Sequence, residues 1–357
     1  VSPRSLGGTR TYLFAAALAG AVLAAAVAAF AGPVPDRLDR FRALVADRLS
    51  AAQILDAGAS VEAYREAYAL LDEEIVESLS SGGVFASTAF LQDRLDAFSD
   101  AWGGAAVRIV RLGQLTVGVF QLGERATANS VRVYGRLREE PALLSILERE
   151  GRPTLYPLSP GPGGVVQFLV AWDGTPSSRG SRPLRLEVAR QQPDGVRVVW
   201  TSADVYADGL VARSYTVRGA ELRVRYELRY PGWVPGCDGQ TEQEDAYRFT
   251  PATGIFTRVT QRQYEAWHRE MRALAARLFA ALAVDDRRTI ATLVPDARVR
   301  ERLPAHLAPE PVCDAPAGAR GEQVLVGASD AHGSPWTLTF QRDGARWRVT
   351  AAAPVIP

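Results

Sequence analysis

Two cysteines, three histidines and no lysine restrict the chemistry open to this chain of 357 residues. All 41 basic side chains are arginine. A chain without lysine has no P-loop lysine to reach β/γ-phosphates, no kinase strand lysine and no Ser-x-x-Lys acylating pair. Schiff-base and pyridoxal chemistry fall away for the same reason. The histidines, His268, His306 and His332, are too far apart for a His-x-His or His-x-x-x-His ligand pair, so no His-based metal site is expected. There is no Gly-x-Ser-x-Gly nucleophile elbow, and two thiols cannot build a four-thiolate zinc site. No cofactor is called for.

What remains is carboxylate, arginine, aromatic and thiol chemistry. Asp238, Glu242, Glu244 and Asp245 crowd one short segment. They lack the ligand spacing and closing bidentate glutamate of a calcium loop, and read as a solvated acidic loop. Arg223, Arg225 and Arg229, with Arg185 and Arg197, could meet an anion through their planar forks. Interspersed Glu221, Glu227 and Glu187 favour cross-strand pairing instead. Of Trp172, Trp200, Trp233, Trp267, Trp336 and Trp347, only Trp233 sits in a Gly/Pro loop, PGWVPGCDGQTE over 231–242. Trp233, Arg223 and Arg225 are therefore the candidate ligand contacts, and the others read as core. Cys237 and Cys313 lie in separate Pro/Gly-rich loops and are expected to form a disulfide, given the compartment argued next. Two well-placed carboxylates would suffice for a hydrolase, but their pairing across loops cannot be read from spacing.

The compartment follows from residues 11–35, which hold no charged side chain. Arg4 and Arg10 precede them and Asp36 ends the run. The apolar stretch is long enough to span a bilayer, and the upstream arginines put the following chain outside the cytoplasm. The same segment also has the basic start, apolar middle and Ala29-Phe30-Ala31 site of a signal peptide. Two outcomes stay open: an inner-membrane anchor formed by residues 11–32, or secretion after cleavage near Ala31. The formal net charge is +1, and without Arg4 and Arg10 the rest is near −1. That balance argues against a nucleic-acid partner.

Beyond the leader, periodicity divides the chain. Over 36–104 the apolar residues recur at helical steps: Leu38, Phe41, Val45 and Leu49; then Val61, Tyr64, Tyr68, Leu71, Ile75 and Leu79; then Leu91, Leu95, Phe98 and Trp102. Gly58 is expected to end the first helix and Ser60 to cap the second. Over 105–261 the period becomes two, which predicts an antiparallel β domain, sandwich or open barrel. Its clearest strand is 221–230, with Leu222, Val224, Tyr226 and Leu228 on one face and Arg223, Arg225 and Glu227 on the other. A short helix is expected over Pro141–Glu150, and no internal repeat stands out. Over 262–357 a long helix carrying Trp267, Met271, Leu274, Leu278 and Leu282 leads through short helices and a Pro-rich insert to three strands. The phrases Phe279-Ala280-Ala281-Leu282-Ala283-Val284-Asp285 and Asp343-Gly344-Ala345-Arg346-Trp347-Arg348-Val349 make residues 262–355 similar to the NTF2-like (SnoaL-like, lumazine-binding-like) domains. The second phrase has one residue more than the family's, and the Pro-rich insert departs from the pattern. The resemblance implies a conical pocket, and its motifs are packing signals that select no activity.

The expected fold class is α+β: residues 1–35 as signal peptide or anchor, a helical region over 36–104, an antiparallel β domain over 105–261 and an α+β domain over 262–357. The expected role is that of a bacterial envelope protein outside the cytoplasm. It would bind or assemble at the membrane surface, touching the membrane through its N-terminal segment and an envelope protein or glycan elsewhere. The alternative is a carboxylate-based, glycosidase-like hydrolase in the same compartment.

Overall fold

The computed structural model describes residues 36–48, 57–123, 126–316, 322–344 and 346–355. The uncharged segment and the Ala31 site lie outside them. Among the described residues no helix is long and apolar enough to cross a membrane. The chain divides after Ala105 into two compact units.

The first unit is helical, with α1 (Arg37–Arg48), α2 (Ala57–Ser81) and α3 (Thr88–Trp102). The apolar stripes meet in its core, where Phe41, Leu71, Ile75, Leu91, Leu95 and Phe98 are fully buried. Gly58 and Ser60 fall inside α2, so neither stops nor caps a helix. The stop at Gly103 is real: its left-handed backbone (φ 79°) suits a residue without Cβ. Ser87 caps α3 by accepting the Phe90 N–H. Glu74, the one buried charge among the described residues of this unit, is held by Arg94 (2.8 Å) and Arg37 (3.3 Å).

The second unit corrects the expected fold class. It is dominated by antiparallel sheet, with helix confined to a short run before the last strands, so the chain is mostly β rather than α+β. Twelve strands follow in succession: β1 (Ala106–Leu112), β2 (Leu115–Gln121), β3 (Asn129–Leu137), β4 (Glu140–Glu148), β5 (Arg152–Pro157), β6 (Gln167–Asp173), β7 (Arg182–Gln192), β8 (Gly195–Thr201), β9 (Val211–Arg218), β10 (Glu221–Glu227), β11 (Glu242–Thr250) and β12 (Ile255–Tyr264). They form three consecutive four-strand meanders, β1–β4, β5–β8 and β9–β12. A short β7–β9 pairing, Arg182 with Ala212 and Pro183 with Val211, joins the second and third into one sheet. This repeat is topological. It escapes a sequence reading because the meanders share strand order and not residues.

The middle meander is buried on both faces, which explains the unbroken apolar run in β6. Phe168, Val170 and Trp172 join Leu115, Val117, Val131 and Val133 from the first meander. Leu169 and Ala171 join Leu222, Val224, Tyr247 and Phe249 from the third. The expected helix over 141–150 is instead β4, paired along β3. The tight turn before it uses Arg138 (φ 52°) and Glu139 (φ 71°), side chains that do not announce a hairpin as Asn-Gly would. The alternation in β10 holds for Leu222, Val224 and Tyr226. Leu222→Ala is therefore expected to cost roughly 2–5 kcal/mol, as for other large-to-small core changes. Arg223→Ala, at an exposed position, should stay within about 0.5 kcal/mol. Urea unfolding of the two variants checks the facing, since equal effects would place the strand in the wrong register.

The remainder of this unit is α4 (Ala266–Ala283), α5 (Arg287–Leu293) and α6 (Ala297–Arg302). A sheet of β13 (Leu307–Pro309), β14 (Ala315–Pro316), β15 (Gln323–Asp330), β16 (Pro335–Asp343) and β17 (Arg346–Pro354) follows. Met271, Leu278, Val326, Leu338, Phe340 and Val349 form its core. Cys237 and Cys313 are joined in a disulfide with Cα atoms 5.3 Å apart, tying the loop before β11 to the Pro-rich segment before β14. Such bridges persist in oxidising compartments, so this chain works outside the cytoplasm.

Candidate functional site

At one end of the first two meanders, strand ends and turns enclose a polar cavity of about 350 Å³. Its charged walls are Glu150, Arg152, Asp173 and Arg182, with the amides of Gln121 and Asn129 beside them. The β4–β5 turn is drawn in by Arg149, whose Nε donates to Glu187 (2.9 Å), a fully buried residue of β7. Arg185 shares the same oxygen at 2.8 Å. Gly151 (φ +97°) lets the turn lie against the end of β6, because a Cβ there would come within 2.8 Å of the Asp173 carbonyl. Glu150 and Arg152 are thereby set on either side of a glycine at the cavity wall.

Asp173 closes β6. The Tyr215 hydroxyl donates to its Oδ2 (2.7 Å), and Arg182 Nε stands 3.2 Å from its Oδ1. Burial first, then the contacts to Tyr156 and Asp173, push the Tyr215 phenol well above its ordinary range, so it stays a neutral donor. The second Asp173 oxygen and Arg182 Nε are both buried and find no hydrogen-bond partner among the described residues; they face each other through charge alone.

Three further polar arrangements lie elsewhere in this unit. Asp245, fully buried in β11, accepts from Tyr206 (3.1 Å), Tyr226 (3.2 Å), Arg258 (3.2 Å) and Gln243 (2.9 Å). Asp314 lies 2.6 Å from Arg272 and 2.9 Å from His268, whose other ring nitrogen meets the Tyr230 hydroxyl at 2.6 Å. Both clusters are enclosed and read as structural. An open groove of about 940 Å³ runs over Leu282, Ile290 and Leu303. At its rim Arg300 donates to the Val294 and Pro295 carbonyls, and Arg287 pairs with Asp285. Among the described residues no three His, Cys, Asp or Glu side chains converge as metal ligands.

The residues singled out from the sequence do not gather into one site. Arg223 is exposed beside Glu221 (3.7 Å). Arg225 is committed to Glu242 (2.5 Å) and covers the Tyr264 ring. Trp233 is half-buried, with the Arg229 guanidinium 5.5 Å from its ring centre. The acidic segment is not the solvated loop expected. Asp238 pairs with Arg179, Glu242 with Arg213 and Arg225, and Asp245 is buried, because 242–250 is strand. The cavity residues were missed. Asp173-Gly174 read only as the end of an apolar run; the available signal was a carboxylate placed directly at the end of a strand buried on both faces.

No protein-family model matches the chain, and no curated protein matches it. Among solved structures it is similar to the periplasmic gluconolactonase PpgL of Pseudomonas aeruginosa, with 14% identity and a TM-score of 0.26 over 71% of this chain and 56% of that one. It is also similar to the GH93 α-L-arabinofuranosidase of Fusarium graminearum, with 8% identity and a TM-score of 0.23 over 70% of this chain and 66% of that one. A third is the Aleuria aurantia lectin, at 11% identity and a TM-score of 0.22 over 71% and 63%. The chain thus spans little more than half of the first and just under two thirds of the other two. Likeness at this level carries neither fold nor activity across.

Proposed function

We propose that this chain is an extracytoplasmic hydrolase acting on a small polyhydroxylated, glycoside-like substrate, with Asp173 and Glu150 as its working carboxylates. One observation carries the reading: two carboxylates from different strand ends line one polar cavity, alongside amides and guanidinium groups. The volume suits a single sugar ring, since small-molecule cavities begin at about 300 Å³. Hydrolysis of a glycoside needs only such a pair. Asp173, held by Tyr215 and faced by Arg182, supplies fixed negative charge toward the oxocarbenium-like transition state. Glu150, exposed at the mouth, donates the proton to the leaving oxygen.

The test is a panel of aryl glycosides with the wild type, Asp173→Asn and Glu150→Gln. Each variant is expected to lose on the order of 10²–10⁴-fold in kcat/KM on a substrate the wild type turns over, the usual range for an acid or base. Undiminished turnover by Asp173→Asn would remove it from the chemistry. Sugar binding seen by NMR without turnover by the wild type would replace hydrolysis with glycan binding, the role that fits a non-catalytic envelope protein.

A further inference from the structure

We infer that residues 11–32 stay on the chain as its membrane anchor, and that the turn between α2 and α3, with Val84 and Phe85 at its tip, rests in the surface of the same bilayer. The inference is independent of the hydrolase reading and gives the helical unit a second, lipid-facing contact.

Among the described residues of the helical unit, the large apolar side chains most open to solvent are Val84 (69% exposed) and Phe85 (48%). A single exposed apolar residue needs no explanation. Here two are adjacent, and the backbone holds them out. Gly82 (φ 67°) and Gly83 (φ 56°) turn the chain through the left-handed region, and the Val84 carbonyl accepts the Ser87 N–H (3.1 Å). The Phe90 ring meets the Phe85 ring edge-on at 5.1 Å. The turn also carries no charge: from Ser78 to Gln92 there is no Asp, Glu or Arg, although acids and arginines are frequent on either side. Such a surface loses little on leaving water, whereas a charge is costly to bury in lipid.

What the tip meets follows from where the chain enters. Arg37 stands just past the uncharged segment and pairs with Glu73 (3.4 Å), Glu74 (3.3 Å) and Glu77 of α2. Arg40, one turn on, reaches Glu73 at 3.9 Å. α1 therefore runs antiparallel to α2, with its first residues beside the last turns of α2. From Glu77 to Ser81 is about 6 Å of helix, at roughly 1.5 Å per residue. The uncharged segment thus joins the unit at the end that carries Val84 and Phe85. Residues 11–32 are long enough to span a bilayer. The steps from Gly32 to Arg37 reach at most about 18 Å when fully extended. An anchor that close brings the tip end of the unit to the membrane surface, where apolar side chains enter the boundary between headgroups and acyl chains. Arg37 and Arg40 are paired with carboxylates, so no basic cluster there favours anionic over neutral lipid.

Lipid quenching on the full chain decides this. Cys237 and Cys313 are joined, so a cysteine introduced at the surface is the one thiol open to a fluorescent label. Val84→Cys and, as a control, Glu62→Cys are labelled and reconstituted in phosphatidylcholine vesicles, with and without lipid carrying a spin-label quencher near the headgroup. Glu62 is exposed on α2, about 28 Å of helix from Ser81. The label at 84 is expected to lose most of its emission to the quencher, equally at low and high salt, and the label at 62 to lose little. Adding Phe85→Ser to Val84→Cys should restore part of the emission. All three positions are exposed, so the variants should melt with the wild type, and a thermal scan checks this. Equal quenching at 84 and 62 overturns the inference. A label at 84 that responds to the density of protein in the vesicle and not to the quencher puts a second copy on the tip and overturns it too. Failure of the full chain to float with the vesicles removes the anchor, and the inference with it, and leaves the hydrolase reading untouched.

Discussion

Asp314→Ala is expected to destabilise the fold by roughly 3–5 kcal/mol, the range for removing one partner of a buried ion pair. Its side chain and those of Arg272 and His268 are each under 5% exposed. Asp314 accepts from Arg272 Nε (2.6 Å) and faces His268 Nε2 (2.9 Å). The Thr241 N–H donates to the Tyr230 hydroxyl (3.0 Å), whose oxygen meets His268 Nδ1 at 2.6 Å, so the buried pair is tied through His268 to the loop before β11. Removing Asp314 strands the Arg272 guanidinium in the interior, against which Gly232 packs so closely that a Cβ would lie 2.8 Å from Arg272 Cδ. Asp314 is delivered there by its neighbour Cys313. Reducing the bridge to Cys237, which closes a loop of 76 residues, should cost roughly 4 kcal/mol in the chain-entropy model. Both changes release the same segment, so together they should cost less than their sum. Urea unfolding of wild type and Asp314→Ala, with and without reductant, measures this. Strict additivity would mean that the disulfide and the buried charges act independently.

Asp245→Ala should cost roughly 1–3 kcal/mol for each buried donor it strands, chiefly those of Tyr226 and Gln243, while the Arg258 guanidinium is 46% exposed and keeps its water. Tyr206, Tyr226, Gln243 and Arg258 donate to the carboxylate, Tyr247 does so at 3.4 Å, and the Tyr206 and Tyr247 hydroxyls stand 2.6 Å apart. Asp245→Asn should be milder, since the amide oxygen still accepts. The cluster also fixes a direction in alkaline solution. Burial first, then Asp245 among other neighbours, raises all three phenols, with Tyr247 pushed up to about 12. A raised phenol stabilises the fold while protonated. That contribution is complete below the unfolded value near 10 and is lost as pH rises toward 12. Unfolding free energies across pH 8–12 should fall over that window in the wild type, and fall less in Tyr206→Phe. A flat profile in the wild type would remove the phenols from the pH response.

The helices and most strands were legible because their signal is local. A stripe such as Tyr64, Tyr68, Leu71 and Ile75, or the alternation Leu222, Val224 and Tyr226, shows which face turns inward whatever it packs against. β4 was not legible, because its flanking turn bends through Arg138 and Glu139, and its apolar residues fit either period. Asp245 shows the same limit. The alternation of Gln243, Asp245, Tyr247 and Phe249 puts all four on the buried face of β11, but a cluster of acids reads as solvent-facing until the partners are known. Those partners sit in Tyr206, Tyr226 and Arg258, on three other segments.

From composition and pattern alone came the export of the chain, the absence of lysine chemistry, the strand and helix periods, and the pairing of Cys237 with Cys313, since each depends on residue type, local spacing or elimination. The order of the meanders, the burial of β6 on both faces and the meeting of Glu150, Arg152, Asp173 and Arg182 around one cavity came only with the tertiary structure. These depend on which strand ends lie side by side. Backbone hydrogen bonds between strands are alike for every sequence, so partner choice is settled by long-range packing of many side chains at once, and no short stretch of this chain records it.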